Sequence, residues 1–345
     1  MTINSPYLQV SRDAAQALTE FSDEFRSAFT LADDFPVWAE ALGYARNSSA
    51  LKSTFPIPVD AAGYKPFKGN MKYRSLYARS LSMITTPWQD GVEALSQQIE
   101  APDFMGWAEA PGNMAREWRR LSNLIVADML AESSLDGPLL DFYTDRDSKT
   151  ASTRRLFAAD HPCNVFKSSA GSFDNRMDTT IAEIRNGTFF KAISQYFRTL
   201  KGANGRALGL RMGGGEFLLP VEFEELFKEV LESDDLVRAV SSTGGLDATS
   251  NVVAAIPRNN IYKGTFGRMV GEELADQEHF YAIAAGGDPA NVPWVLMNEA
   301  APEEIVFDKT SERWKDTGMV SIGYRGNKNS AACLPHRIVR VHVTG

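Results

Sequence analysis

A long helical repeat constrains the fold of this chain more than any other feature of its sequence. Between Pro111 and Gly137 apolar residues recur at intervals of three and four, beginning with "APGNMAREWRRLSNLIVADMLAES". The stripe consists of Met114, Trp118, Leu121, Ile125 and Met129. This spacing predicts one amphipathic helix at about residues 111–133, with Trp118 and Leu121 buried against a neighbouring sheet. Proline is tolerated where a helix starts, and the Gly-Pro pair at 137–138 ends the pattern.

Short strands dominate the second half of the chain. We predict them at "NVVAAIP", "HFYAIAA", "VPWVLMNE", "EIVFD", "GMVSIGYRG" and "RIVRVHV". Ahead of them, residues 11–30 form one helix with Leu18, Phe21, Phe25 and Phe29 on its apolar face. A second helix is predicted at "NGTFFKAISQYFRTL", and a strand, a proline and a helix at "FLLPVEFEELFKEVLES". Because helices and strands do not alternate strictly, the sequence predicts an α+β fold.

Residues 61–89 form a basic segment that contains no acid. Its cations are Lys65, Lys68, Lys72, Arg74 and Arg79, a local charge of +5. In an extended strand, one side would carry Met71, Tyr73, Tyr77, Leu81 and Met83, and the other Lys72, Arg74, Ser80 and Ser82. Prolines occur at 56, 58, 66 and 87, which favours an extended β-ribbon over a strand in a packed sheet.

An acidic segment complements the ribbon. Residues 216–235 hold eight acids and one lysine, a local charge of −7, and the candidate partner surface is Glu222, Glu224, Glu225, Glu229 and Glu232. Complementary patches steer partners and fix their register, so we favour self-association. The candidate inter-subunit contacts are Lys65, Lys68, Lys72, Tyr73, Arg74, Tyr77 and Arg79. Nucleic-acid binding, with bases stacked on the tyrosines, is the alternative.

The bulk composition excludes several classes of protein. The 345 residues suffice for about two domains. No apolar run approaches the roughly 20 residues of a membrane helix, and "MTINSPYLQVSRD" lacks the regions of a signal peptide. Cys163 and Cys333 make no disulfide framework and fit a reducing compartment. The net charge of −8 argues against nucleic-acid binding by the surface as a whole.

No standard catalytic, phosphate-binding or metal-binding motif occurs, so we expect no catalytic residue, no metal and no cofactor. The stretch "LFAADHPCN" brings Asp160, His161 and Cys163 close together. Pro162 favours an extended backbone at His161, and no third group is identified that would orient a nucleophile and its base. We therefore predict a structural role for His161, as for Trp118. A small-molecule hydrolase that uses His161 and Cys163 is the alternative.

In their order and spacing these stretches resemble the major capsid (head) proteins of tailed bacteriophages, which have the Hong Kong 97-type fold. The resemblance is greatest to the Mu-like major head subunit branch. "LFAADHPCN" resembles that branch's segment after the long helix, and "FLLPVEFEELFKEVLES" resembles the family's strand, proline and helix. "NNIYKGTFGRMV", "HFYAIAAGGDPANVPWVLM" and "GMVSIGYRGNKNSAACLPHRIVRVHV" resemble the later strands, so the likeness covers most of residues 50–345.

The resemblance implies a division of the chain into domains. An N-terminal arm is expected at residues 1–49 and an extended loop, or E-loop, at 50–100. A peripheral domain would comprise 101–205 and 304–345, with the long helix as its spine. An axial domain would comprise 206–303.

The implied function is mechanical rather than enzymatic. Copies would self-assemble as hexamers and pentamers into an icosahedral capsid that encloses double-stranded DNA without sequence-specific binding. The implied location is the virion, with assembly in the host bacterial cytoplasm and no membrane partner. Because only some 50 residues precede the ribbon, we expect a separate scaffolding protein rather than a fused one. The resemblance also implies a portal and, as an optional component, a cementing protein. An encapsulin-like compartment shell is the alternative on the same fold.

Overall fold

The computed structural model describes residues 14–31, 37–47, 52–58, 78–95, 98, 105–140, 154–163, 171–202, 207–210, 215–239, 255–284, 292–298 and 302–344. The α-helices in these residues are α1 (Ala14–Leu31), α2 (Trp38–Leu42), α3 (Met105–Leu135), α4 (Ile181–Arg185), α5 (Thr188–Thr199), α6 (Glu224–Glu232) and α7 (Glu312–Thr317). None of the described helices is long and apolar enough to cross a lipid bilayer.

Together with these helices, the strands give the α+β fold that the sequence predicts. They are β1 (Tyr44–Asn47), β2 (Lys52–Pro58), β3 (Ala78–Ile84), β4 (Thr86–Leu95), β5 (His161–Pro162), β6 (Ser172–Phe173), β7 (Arg176–Thr180) and β8 (Glu216–Leu219). They continue with β9 (Asp235–Ala239), β10 (Ala255–Asn259), β11 (Gly267–Val270), β12 (His279–Ile283), β13 (Trp294–Asn298), β14 (Glu303–Phe307), β15 (Met319–Ala332) and β16 (Ile338–Thr344).

The first sheet is built around the long strand β15. Antiparallel to β15 lie β4, β13 and β14, and β1 pairs with β13 in parallel. Helix α1 packs against this sheet and α3 through Leu18, Phe21 and Phe25, and Phe29 is partly buried beside them. The predicted N-terminal helix and its apolar face are therefore confirmed.

The second sheet has the strand order β11-β8-β12-β16-β7 and a core on each face. Successive side chains of a strand point to opposite faces. Phe217 and Phe280 accordingly face α4, α5 and α6. Leu218 and Tyr281 face a central core to which α2, α3 and the first sheet also contribute. The second sheet thus lies between the two hydrophobic cores and contributes side chains to each.

The long helix α3 differs from the prediction at its start. It begins at Met105 rather than near residue 111, so Pro111 lies inside it. Proline removes one backbone N–H, and the helix continues past the single hydrogen bond that is lost. The helical angles end at Glu132, where ψ is 139°, and Ser133 follows with φ of 55°. The end therefore matches the prediction, whereas the start does not.

The buried face of α3 is also rotated from the predicted stripe. Trp118 is buried, but Leu121 and Ile125 are only half-buried. Fully buried positions include Ser122 and Asn123. The predicted stripe is thus buried at Met114, Trp118 and Met129 but not at Leu121 and Ile125, because a hydrophobic pattern passes over the two buried polar residues.

The two sheets cross both predicted domain boundaries. Strands β7 and β16, from the predicted peripheral ranges, pair in one sheet with β8, β11 and β12 of the predicted axial range. Strand β13, also from the predicted axial range, pairs with β15 in the other sheet. Boundaries at 205/206 and 303/304 therefore do not separate the sheets. The division into arm, E-loop, peripheral and axial domains stays a prediction.

Candidate self-association surfaces

Strands β2 and β3 form the base of the predicted ribbon, and side chains of this base are buried in the central core. Strands β2 and β3 pair antiparallel from Lys52 opposite Ile84 to Pro58 opposite Ala78. Phe55, Leu81 and Met83 are buried in that core, while Ser82 is exposed. The predicted alternation is therefore present in the described part of the ribbon.

The tip of the ribbon lies outside the described residues. This applies to Lys65, Lys68, Lys72, Tyr73, Arg74 and Tyr77, and so to most of the predicted contact set. Arg79 lies on β3 opposite Ile57. The contact role of all seven residues stays a prediction.

The acidic surface lies on α6 and on the 3₁₀ turn Val221–Phe223 before it. Phe223, Phe227, Val230 and Leu231 turn inward, so the acids at the intervening positions face outward. Glu222, Glu225, Glu229 and Glu232 are exposed, and Glu224 is half-buried. Acids in the first turn also suit the positive end of the helix dipole.

One of the five predicted acids is already paired within the chain. Arg268 lies 2.7 Å from Glu232, and its hydrogen bond lowers the pKa of that carboxyl. Within the described part of the chain, Glu222, Glu224, Glu225 and Glu229 form no ion pair. Four acids therefore remain available for a partner.

A shallow groove of about 670 Å³ runs along this surface between α4 and α6. Apolar side chains of Ile181, Phe223 and Leu226 line it together with polar ones. The polar lining consists of Arg185, Glu222, Glu225, Glu229 and Gln277. A groove of this kind suits a long basic side chain, whose methylene stem packs on apolar groups while its charged end meets carboxylates.

The residues of "LFAADHPCN" do not form a nucleophilic site. His161 is buried, and its Nε2 lies 3.0 Å from the carbonyl oxygen of Leu156, so Nε2 carries the proton and donates it. Burial lowers the pKa of His161 to about 4, which makes it a poor base. Burial raises the pKa of the Cys163 thiol, and Asp160 pairs instead with Arg154 at 3.1 Å. Each group thus has a separate partner or environment.

His161 instead joins two segments of the chain. Its ring stacks on Phe173 with 5.1 Å between the ring centroids, and its strand β5 pairs with β6. In the described residues, no group of three or more histidine, cysteine or acidic side chains could hold a metal ion. This geometry supports the structural role predicted for His161.

A buried lysine, Lys328, was missed by the sequence analysis. Its Nζ donates to the carbonyl oxygen of Trp118 at 2.6 Å and to Ser122 Oγ at 3.0 Å, and it lies 4.7 Å from the centroid of the Trp118 ring. Ser122 Oγ in turn donates to Glu40 at 3.1 Å. This network joins α2, α3 and β15. Alternation along β15, where Val320, Ile322, Tyr324 and Lys328 share one face, was the available signal.

The architecture matches a solved capsid structure along almost its whole length. The capsid of an empty GTA particle covers 90% of this chain and 91% of its own, with a TM-score of 0.50 and 9% sequence identity. The chain has the Hong Kong 97-type capsid fold. At this identity the match establishes the fold and leaves the biological role to be inferred.

Looser similarities to this capsid fold occur in other particles. The mature capsid of bacteriophage PhiM1 covers 87% of this chain and 84% of its own, with 10% identity and a TM-score of 0.47. A virus-like particle from Pyrococcus furiosus covers 94% and 98%, with 8% identity and a TM-score of 0.46. No protein-family model matches the chain. No curated protein sequence matches it either.

Proposed function

We propose that this chain is the major capsid protein of a tailed bacteriophage. Copies self-assemble as hexamers and pentamers into an icosahedral head that encloses double-stranded DNA, and the protein is not an enzyme. The observation that carries the proposal is the capsid fold, matched over 90% of the chain. The geometry around His161 and Cys163 supports a structural protein, because neither group is activated for catalysis.

The finer assignments rest on the sequence resemblance alone. They are membership of the Mu-like branch, a separate scaffolding protein, a portal and an optional cementing protein. The virion is the proposed location, and the host bacterial cytoplasm is the proposed place of assembly.

The ribbon supplies one physical reason for assembly. Its base is fixed by Phe55, Leu81 and Met83 in the central core, so the segment beyond it starts from a rigid support. That segment, residues 59–77, carries aromatic residues, four basic residues and a single acid, Asp60. Obligate interfaces bury about 2,000 Å² or more, and a ribbon laid over a neighbouring copy is a direct way to reach this area.

Electron microscopy of the purified chain tests the proposal. Closed shells or capsomers support it, and a monodisperse monomer under all assembly conditions would refute it. The contents of the particle then separate a phage head from an encapsulin-like compartment. Nuclease-protected double-stranded DNA, found when the phage genome is present, indicates a head, whereas a co-purifying enzyme indicates a compartment.

Two double variants test the ribbon. Lys72→Glu with Arg74→Glu should leave the subunit folded and slow assembly, most strongly at low salt where screening is weak. Tyr73→Ser with Tyr77→Ser should impair assembly more, since each exposed ion pair contributes only about 0–1 kcal/mol and the apolar side holds the contact. Lys315→Glu, on the exposed face of α7, is the matched control and should assemble normally. Normal assembly of both double variants would contradict the role of the ribbon.

A further inference from the structure

Helices α5 and α6 cover the same face of the second sheet and carry opposite charges. The chain has six basic residues and no acid between residues 184 and 215. On α5, Lys191 and Arg198 are exposed, and Lys201 is exposed just after it. Arg185, which precedes α5, belongs instead to the lining of the acidic groove. The exposed face of α6 carries Glu225 and Glu229, and Glu222 is exposed on the 3₁₀ turn before it. One surface layer of the molecule therefore has a basic part and an acidic part.

A common aromatic core holds both helices rigidly. Phe190 of α5 and Phe227 of α6 lie with their ring centroids 5.8 Å apart, and both rings pack against Phe217 of the second sheet. The inward residues of α5 and α6 are thus fixed by one cluster. Because each helix is amphipathic, its charged side chains are held outward on a rigid support.

Lys191 and Arg198 of α5 do not pair with the acids of α6 within one subunit. Among the described residues, no ion pair joins Lys191 or Arg198 to an acid, and none joins Glu225 or Glu229 to a base. Exposed apolar side chains lie beside the acids, namely Ile181 and Val221. The acidic groove therefore offers both carboxylates and an apolar lining to an incoming partner.

We propose that α6 of one subunit docks on α5 of the next, with Lys191 and Arg198 of the second subunit entering the acidic groove of the first. This inference rests on the proposed function, and it names a contact between neighbouring subunits of one hexamer or pentamer, that is, within the ring of subunits. The two surfaces differ, so the contact is heterologous, and repetition of a heterologous contact closes a ring when the rotation allows it. Opposite charges guide the encounter and fix its register, and the apolar lining excludes water from it.

Charge reversal on each side tests the contact. Glu225→Lys with Glu229→Lys makes both faces basic, and Lys191→Glu with Arg198→Glu makes both faces acidic. Self-association, measured by sedimentation velocity at low salt, should weaken about 100-fold for either double variant, since like charges brought together at an interface repel. Circular dichroism should show that each variant remains folded.

Mixing the two double variants is the decisive measurement. In the mixture each reversed face meets a face of opposite charge on the other variant, so self-association should return to within about tenfold of wild type. Alternating variants need an even number of positions around a ring, so hexameric rings should form and pentameric ones should not. The quadruple variant, with both faces exchanged, should associate by itself.

Several results would overturn this inference. Wild-type association by either double variant would do so, as would a mixture that fails to recover. Glu312→Lys with Asp316→Lys makes the same charge change on the exposed helix α7, and an equal loss there would mean that net charge alone is responsible. If the Lys191 and Arg198 reversal reduced only DNA binding, α5 would be a nucleic-acid surface. Rings of the wild type or of the quadruple variant that never close into shells would refute the capsid function and leave this contact standing.

Discussion

Replacing the buried Lys328 by methionine should remove a pH dependence of folding. The substitution keeps a side chain of similar length and removes the charge. In the folded chain, burial lowers the pKa of Lys328 to about 8 from its ordinary 10.5, because the ammonium group loses its hydration. The nearby carboxylate of Glu40 raises this pKa, and Arg119 lowers it further, but both effects are smaller than that of burial.

The direction in which stability changes with pH follows from the pKa values of Lys328 in the folded and unfolded chain. Between about 8 and 10.5 the unfolded chain holds the proton more tightly than the folded chain, so protonation favours unfolding. The free energy of unfolding should therefore rise with pH through this range. At about 1.4 kcal/mol per pH unit the whole effect is about 3 kcal/mol. About 2 kcal/mol of it should appear between pH 7 and pH 9.5.

Urea unfolding of unassembled subunits, followed by tryptophan fluorescence at pH 7 and pH 9.5, measures the effect. Loss of the hydrogen bonds to Trp118 and Ser122 lowers the stability of Lys328→Met by an amount independent of pH. The difference between wild type and variant should therefore grow by about 2 kcal/mol as the pH rises. Lys315→Met, at an exposed position, should follow the wild type. Parallel curves for wild type and Lys328→Met would refute the reasoning.

Three further substitutions test individual side chains. The neutral imidazole of His161 contributes stability that is complete above pH 6.5 and is lost as the pH falls towards its folded pKa of about 4. Urea unfolding at pH 7 and pH 4 should therefore show about 3 kcal/mol more loss for wild type than for His161→Phe, and equal losses would contradict this. Trp118→Ala should lower the free energy of unfolding by about 3–5 kcal/mol and reduce the soluble yield, and an unchanged value would exclude a structural role. Cys163→Ala should change stability by no more than about 0.5 kcal/mol and leave the yield of particles unchanged, whereas lost assembly would indicate a function for the thiol.

Local periodicity predicted the longer helices and many strands, but it did not predict how these elements are arranged. The strand, proline and helix from Glu216 to Glu232 were predicted because their apolar residues repeat at the expected intervals. The burial predicted for Leu121 was wrong, because the buried face of α3 includes the polar residues Ser122 and Asn123. Asn123 Oδ1 accepts the backbone N–H of Ala39 at 3.1 Å, a partner that lies far away in the sequence.

The pairing of β16 with β7 and β12 could not be predicted for the same reason. It joins residues near 340 to residues near 178 and 281, and no local pattern records such a distance. The candidate self-association surfaces contain one feature that a local pattern predicts and one that it does not. The acids of α6 follow from a local pattern, but their relation to the bases of α5 depends on packing that only the fold provides.

The base of the ribbon and the charged helices α5 and α6, which carry the two proposed self-association surfaces, belong to the cores on opposite faces of the second sheet. The base of the ribbon is buried in the central core, which also contains Leu218 and Tyr281 of the second sheet. The adjacent residues Phe217 and Phe280 face the opposite way and hold α5 and α6. Because close-packed cores transmit displacement rather than absorb it, a shift of the second sheet would move the ribbon and the charged helices together. Contacts made by the ribbon and by the ring should therefore be coupled, although no residue belongs to both.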